Sequence, residues 1–203
     1  MSLTLIIIAV TAVVSFAGFS NANLVQKLAL WPPAITRGHE YWRLATCGLV
    51  HADTMHLLFN MITLYFFGRA MEGLYVARVG AAGYVLFYVG ALVVSSLPSW
   101  LAHRNDSRYL SLGASGAVSA ILFAFILVQP WAMIIVFVLP VPAVLYAIVF
   151  VGYSIWMDRR ATDRTNHNAH LWGAAYGIVV TVLIEPRIVG VFLDRLTHPS
   201  FGL

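Results

Sequence analysis

Between Arg108 and Asp158 the chain reads YLSLGASGAVSAILFAFILVQPWAMIIVFVLPVPAVLYAIVFVGYSIWM (109–157), with no Asp, Glu, Lys or Arg. A bilayer-spanning helix needs about 20 mostly apolar residues, so this stretch is too long for one helix and must fold back on itself. Gln129-Pro130 is the expected turn. The rival, Leu139-Pro140-Val141-Pro142, leaves only Ala143 to Met157 for the following span. With the turn at Gln129-Pro130, Pro140 and Pro142 fall inside the fifth span, where missing N–H donors and ring clashes predict a kink.

Of 203 residues, 61% are hydrophobic and 10% charged, against roughly a quarter charged in a soluble domain. Six segments suit spans: Leu3 to Phe19, Met55 to Ala70, Gly80 to Leu101, Leu112 to Val128, Ala132 to Met157 and Ala169 to Ile184. The expectation is an all-α polytopic membrane protein with six transmembrane helices, forming one domain over residues 1–203. Leu3 to Phe19 is read as a retained span, because no Lys or Arg precedes it and no small-x-small cleavage site follows. The long connection 20–54 carries Trp31-Pro32-Pro33 and Tyr41-Trp42-Arg43, and that aromatic content suits a segment lying in the interface. The net charge of +4 is scattered singly between apolar runs, which argues against nucleic acid. Cys47, the lone cysteine, excludes an internal disulfide and reads as a small buried hydrophobe.

Six alternating spans make the second, fourth and sixth parallel, with their N-terminal ends in one leaflet. The second opens after His51 with His56 and Asn60, four residues apart and so on one face. The fourth opens Gly113-Ala114-Ser115-Gly116. The sixth opens Ala169-His170, followed by Gly173 and Gly177 on the His170 face, and small residues there permit close helix approach. Ser115 and His170 thus fall at corresponding depths. If the residues after Arg108 are helical, Ser115 lies roughly 10 Å below that charge.

A serine hydroxyl is a weak nucleophile until a base within about 3 Å accepts its proton, and neutral imidazole does so near pH 7. The oxyanion that follows needs preset donors. The Asn60 amide, the His56 imidazole and the Ser115 N–H are on offer, with the dipole of the fourth helix. No acidic residue is placed to orient His170, so a Ser115–His170 dyad is expected, with His170 held by packing and local hydrogen bonds.

His56-x-x-x-Asn60, Gly113-x-Ser115-Gly116 and Ala169-His170-x-x-Gly173-x-x-x-Gly177, on alternate spans and in order, resemble the rhomboid family of intramembrane serine proteases in its minimal six-helix form. Tyr41-Trp42-Arg43 resembles that family's interfacial loop signature, and Glu72 its acidic residue beyond the second span. The resemblance implies a Ser115–His170 dyad and an oxyanion hole of Asn60, His56 and the Ser115 N–H. It also implies transmembrane protein substrates entering near the second and fifth spans. Trp42, Arg43, His51, Glu72, Gly113, Gly116, Gly173 and Gly177 are then structural supports. Ser119 departs from the pattern, since many relatives carry there a tyrosine that stacks on the catalytic histidine.

His51, His56, His167 and His170 invite a metal, yet no His-Glu-x-x-His occurs and no carboxylate accompanies them at ligand spacing, so neither metal nor organic cofactor is implied. A transporter would spread polar groups over several spans, whereas here they gather in one leaflet. A catalytically silent relative that binds membrane clients is the remaining alternative. The expected partners are the lipid bilayer and transmembrane proteins, and the expected location is a bacterial inner membrane; the sequence carries no statement of oligomeric state. The family orientation puts Lys27, Arg37, Arg43, Arg104, Arg108, Arg159, Arg160 and Arg164 outside, against Arg69, Arg78, Arg187 and Arg195 inside, a balance that opposes the positive-inside rule.

Overall fold

The computed structural model describes residues 2–136, 138–160 and 165–199, leaving Arg164 outside the described residues. The chain is mostly helical. α1 (Leu3–Phe19) turns its small and polar face, Thr4, Thr11, Ser15 and Gly18, inward, while Val10, Val13 and Phe16 face out. That inversion of a soluble helix suits a lipid surround, where apolar groups gain nothing by hiding and small ones let helices approach. Glu72 caps the helix: the Leu3 and Thr4 N–H groups donate to its carboxylate at 2.8 and 3.0 Å, and the Ser2 hydroxyl at 2.6 Å.

The connection 20–54 is folded, with α2 (Ala22–Leu28), α3 (Pro32–Gly38), α4 (Arg43–Thr46) and a 3-10 turn (Cys47–Leu49). Arg43 ties it together from a buried position. Its Nε donates to Glu40 at 2.6 Å and its Nη1 to the Gln26 and Ala29 carbonyls at 2.7 and 2.9 Å. Trp42 stands half exposed on the outside of the same turn. Cys47 is buried, and burial pushes its thiol up to about 11, so it is protonated and shielded at neutral pH. A maleimide should leave the folded chain unlabelled over a period in which the denatured chain reacts completely, as intact mass would record.

α5 (Thr54–Thr63) is capped by Asp53, which accepts the His56 N–H at 2.8 Å. A π turn (Leu64–Gly68) leads into α6 (Arg69–His103). Thr54–His103 is, among the described residues, the one helical stretch long and apolar enough to cross a membrane. Its 50 residues would reach about 75 Å if straight, against a hydrocarbon core of about 30 Å. The chain breaks at Gly80 (φ 72°, ψ 174°), backbone that essentially only glycine adopts.

α7 (Ser115–Val128) is the central helix, with Ala114, Ala117, Ala120, Ile121 and Ala124 fully enclosed. It begins at Ser115. Residues 109–114 are not helical, and Ser111 pairs instead with Leu30 of the first connection through both backbone N–H groups. The helical rise assumed between Arg108 and Ser115 therefore does not apply.

The placement of Pro140 and Pro142 inside a helix is also corrected. β1 (Met133–Val136) pairs antiparallel with β2 (Leu139–Pro142), and α8 (Ala143–Arg160) starts only after the prolines. Two prolines spaced by two remove two helical N–H donors and clash with the preceding turn. As strand residues of equal parity, they lose only donors on an outer edge. α8 runs on through the charged Asp158-Arg159-Arg160, giving 18 residues and about 27 Å.

α9 (His167–Ile184) is followed, across a bend of 113°, by α10 (Ile188–Thr197), which no periodicity had announced. Trp131 Nε1 donates to Leu196 O at 3.3 Å and Arg195 to Val128 O, docking α10 beneath α7. α7 packs chiefly on α9 and then on α6. The contact is backbone to backbone: a Cβ at Gly173 would run into the Gly116 carbonyl, and one at Gly177 into that of Ala120. Hydrogen bonds inside the bundle join Thr4 to Tyr84 at 2.9 Å and Tyr75 to Thr181 at 2.6 Å.

Candidate active site

The N-terminal ends of α5, α7 and α9 meet. Ser115 is the first residue of α7 and is half buried. Gly113 delivers it with φ 114°, and a Cβ there would lie 2.6 Å from the His56 ring, so conformation and space both demand glycine. The Gly113 N–H donates to Cys47 O at 2.9 Å. The Ala114 N–H donates to His51 Nε2 at 3.3 Å. Because that nitrogen accepts, the proton of His51 sits on Nδ1, which donates to Ser15 Oγ at 2.9 Å, and Ser15 donates onward to Leu49 O at 2.8 Å. His51 thus links the residue before Ser115 to α1 and the first connection.

His170 Nε2 lies 2.8 Å from Ser115 Oγ, within reach for proton transfer. Its helix is positioned by Asn166, whose Oδ1 accepts the Ala169 N–H at 3.0 Å. The amide of Asn166 donates to Ser99 Oγ at 2.8 Å and to Tyr109 OH and Ser111 Oγ at 3.2 Å. The start of α9 is therefore fastened to the end of α6 and to the segment leading into α7. Tyr109 is raised by burial, the leading cause, so its phenol stays protonated at neutral pH. Gly116 is also required: a Cβ there would run into Ser95 Oγ.

Asn60 is buried and donates one amide N–H to His56 O at 2.9 Å, which leaves that amide a second donor. The His56 ring lies against Gly113 and edge-on to His51, with centroids 4.9 Å apart. The Ser115 N–H belongs to the first turn of α7 and has no intrahelical acceptor. Ser119 is buried, and the ring stacked on His170 comes from elsewhere: Phe150 of α8, with centroids 5.8 Å apart and planes 28° apart. Among the described residues no three His, Cys, Asp or Glu side chains come together as a metal-holding group.

Sequence reading had missed Asn166 and Phe150. Asn166 carried a usable signal, an Asn three residues before the Ala169 N–H it accepts, which is N-cap spacing. Phe150 carried none, being one of several aromatic residues along α8.

The family model of the rhomboid domain matches residues 38–187. The chain belongs to the rhomboid family. It is 35% identical over 156 residues to the RHOMBOID-like protein 12, mitochondrial, of Arabidopsis thaliana, covering 70% of this chain and 46% of that protein. It is 31% identical over 99 residues to the putative rhomboid protease YdcA of Bacillus subtilis, covering 46% and 47%. It is 30% identical over 135 residues to the Rhomboid protein 1, mitochondrial, of Saccharomyces cerevisiae, covering 64% and 38%. The chain spans about half the length, or less, of these curated relatives. Rhomboids are integral membrane proteins and generally intramembrane serine proteases. The matched names include mitochondrial, chloroplastic and Bacillus proteins, so the likeness fixes a membrane and no bacterial compartment.

Proposed function

We propose that this rhomboid is a serine endopeptidase that cuts transmembrane segments of other membrane proteins. The observation that carries the reading is the 2.8 Å approach of His170 Nε2 to Ser115 Oγ at the N-terminus of α7. His170 takes the hydroxyl proton as Ser115 Oγ attacks the scissile carbonyl. The oxyanion is met by the Ser115 N–H, the Asn60 amide and the His56 imidazole, and His170 returns the proton to the leaving amine. Water then hydrolyses the acyl-enzyme with His170 as base.

The reading assigns six spans: α1, the helix from Thr54 to the break at Gly80, the helix from that break to His103, α7, α8 and α9. α1 and α7 are shorter apolar helices of 17 and 14 residues. Residues 1–203 are taken as one domain. α5 and α8 both touch α7 and hardly touch each other, which supports entry of a substrate helix between them. The Gly113, Ala114 and Gly116 surroundings of Ser115 favour small side chains at the cut.

The orientation adopted puts both termini in the cytoplasm and the site toward the outer face. Arg43 then counts little in the charge balance, being enclosed with Glu40 in a folded segment. Arg160 lies over the Trp156 ring at 4.2 Å.

The test is co-reconstitution with a panel of single-pass proteins, with cut sites read by mass spectrometry. The expected result is new termini inside transmembrane segments, made by wild type and absent with Ser115→Ala. Equal retention of uncut clients by wild type and Ser115→Ala, without cleavage by either, would favour the client-binding alternative.

A further inference from the structure

The seat of His170 includes a ring that its own helix does not supply. Phe150 of α8 is offset-stacked on the imidazole, at 5.8 Å and 28°, a geometry that aromatic pairs favour. Phe150 is held in turn by Tyr146 one turn earlier (5.6 Å) and by Phe123 of α7 (5.6 Å). Phe150 therefore touches both the helix that bears the nucleophile and the helix that bears the base. A second contact of the same kind lies beside it: His167 meets Tyr153 of α8 at 5.5 Å and His170 at 5.9 Å, both edge-on. The first turn of α9 thus rests on two aromatic residues of α8.

A hydrogen bond accepted at Nε2 fixes the position of one atom and by itself allows rotation of an imidazole ring, because the terminal torsion of histidine is broad. A flat partner against the ring face removes that freedom. α8 buries only Ala143, Ser154 and Met157 and turns Leu145, Ile148 and Val149 outward. It is thus held by few contacts, and the ones at Phe150 reach the site.

We infer that Phe150 is a positioning residue, which sets the plane of the His170 imidazole so that Nε2 faces Ser115 Oγ and ties alignment of the pair to the seating of α8. The inference rests on the reading of Ser115 and His170 as a catalytic dyad. Phe150 touches no reacting atom. Removing its ring while keeping bulk should slow the chemistry and leave substrate capture alone.

The test uses the full chain in proteoliposomes. Labelling by a fluorophosphonate probe and cleavage of one transmembrane substrate are measured for wild type, Phe150→Leu and Phe150→Tyr. Ser115→Ala and His170→Ala serve as controls, and rates are taken per folded molecule. Phe150→Leu should label about threefold to tenfold more slowly, the loss falling on kcat with KM within about twofold, while Phe150→Tyr stays within about twofold of wild type. Wild-type labelling by Phe150→Leu, an equal loss in Phe150→Tyr, or a loss confined to KM would each overturn the inference. If Phe150→Leu labels normally while both controls are silent, positioning fails and the dyad stands. If the controls label like wild type, the dyad itself has failed.

Discussion

His170→Ala should lower kcat for cleavage of a transmembrane substrate by at least about 1,000-fold while KM changes little. The imidazole sits 2.8 Å from Ser115 Oγ, and removing it leaves the hydroxyl with its proton at the moment of attack. General-base catalysis alone contributes about 10²- to 10⁴-fold, and removing one member of a serine–histidine unit disables the whole. The substitution leaves α5 unaltered and removes from α8 only the ring that lies against Phe150, so the proposed entry face for a substrate helix is kept. The helix should survive, because its N-terminal anchor is the Asn166 network, which makes no use of the His170 ring. Single-turnover kinetics with circular dichroism on the same samples checks both halves. A kcat within tenfold of wild type would show that proton transfer runs through another group.

Gly173→Val should be the most damaging single change to the fold. A Cβ at 173 points into the Gly116 carbonyl, which is backbone one residue past the nucleophile and cannot turn aside like a side chain. α7 and α9 must separate, and overpacking of this kind costs about 1–3 kcal/mol, or more where the obstruction is backbone. Separation also widens the Ser115–His170 gap, so activity should vanish even in molecules that remain folded. Gly177→Val meets the Ala120 carbonyl one turn further in and should destabilise similarly, with a smaller loss of activity per folded molecule because it lies further from the pair. Thermal unfolding in detergent, set beside activity normalised to the folded fraction, separates the two. A Gly173→Val chain with wild-type unfolding temperature would mean that the helices are not in contact as described.

Much of this was legible from residue order, for reasons that can be named. Ser115, His170, His56 and Asn60 are polar groups in apolar helices, and lipid makes such residues conspicuous. Gly173 and Gly177 announced a close approach, and the faces they meet, Gly116 and Ala120, carry small residues as well. What the sequence hid falls into three kinds. The hairpin at Met133–Pro142 was hidden because an apolar β-branched run reads alike as helix or strand, and the weight given to span length overrode the stronger statement made by two prolines. Phe150 and the Asn166 network were hidden because both act through tertiary contacts: a stacking partner can come from any aromatic residue on a neighbouring helix, and the partners Ser99, Tyr109 and Ser111 belong to segments far apart in the chain. α10 is too short to span and was overlooked for that reason.

The geometry at Ser115 is also the most directly accessible to measurement. A fluorophosphonate probe reacts with a serine that has a working base and open, preset oxyanion donors, and needs no knowledge of the natural substrate. The purified full chain should incorporate one probe, located on Ser115 by peptide mass, with none on Ser115→Ala or His170→Ala. Equal labelling of all three proteins would contradict the dyad.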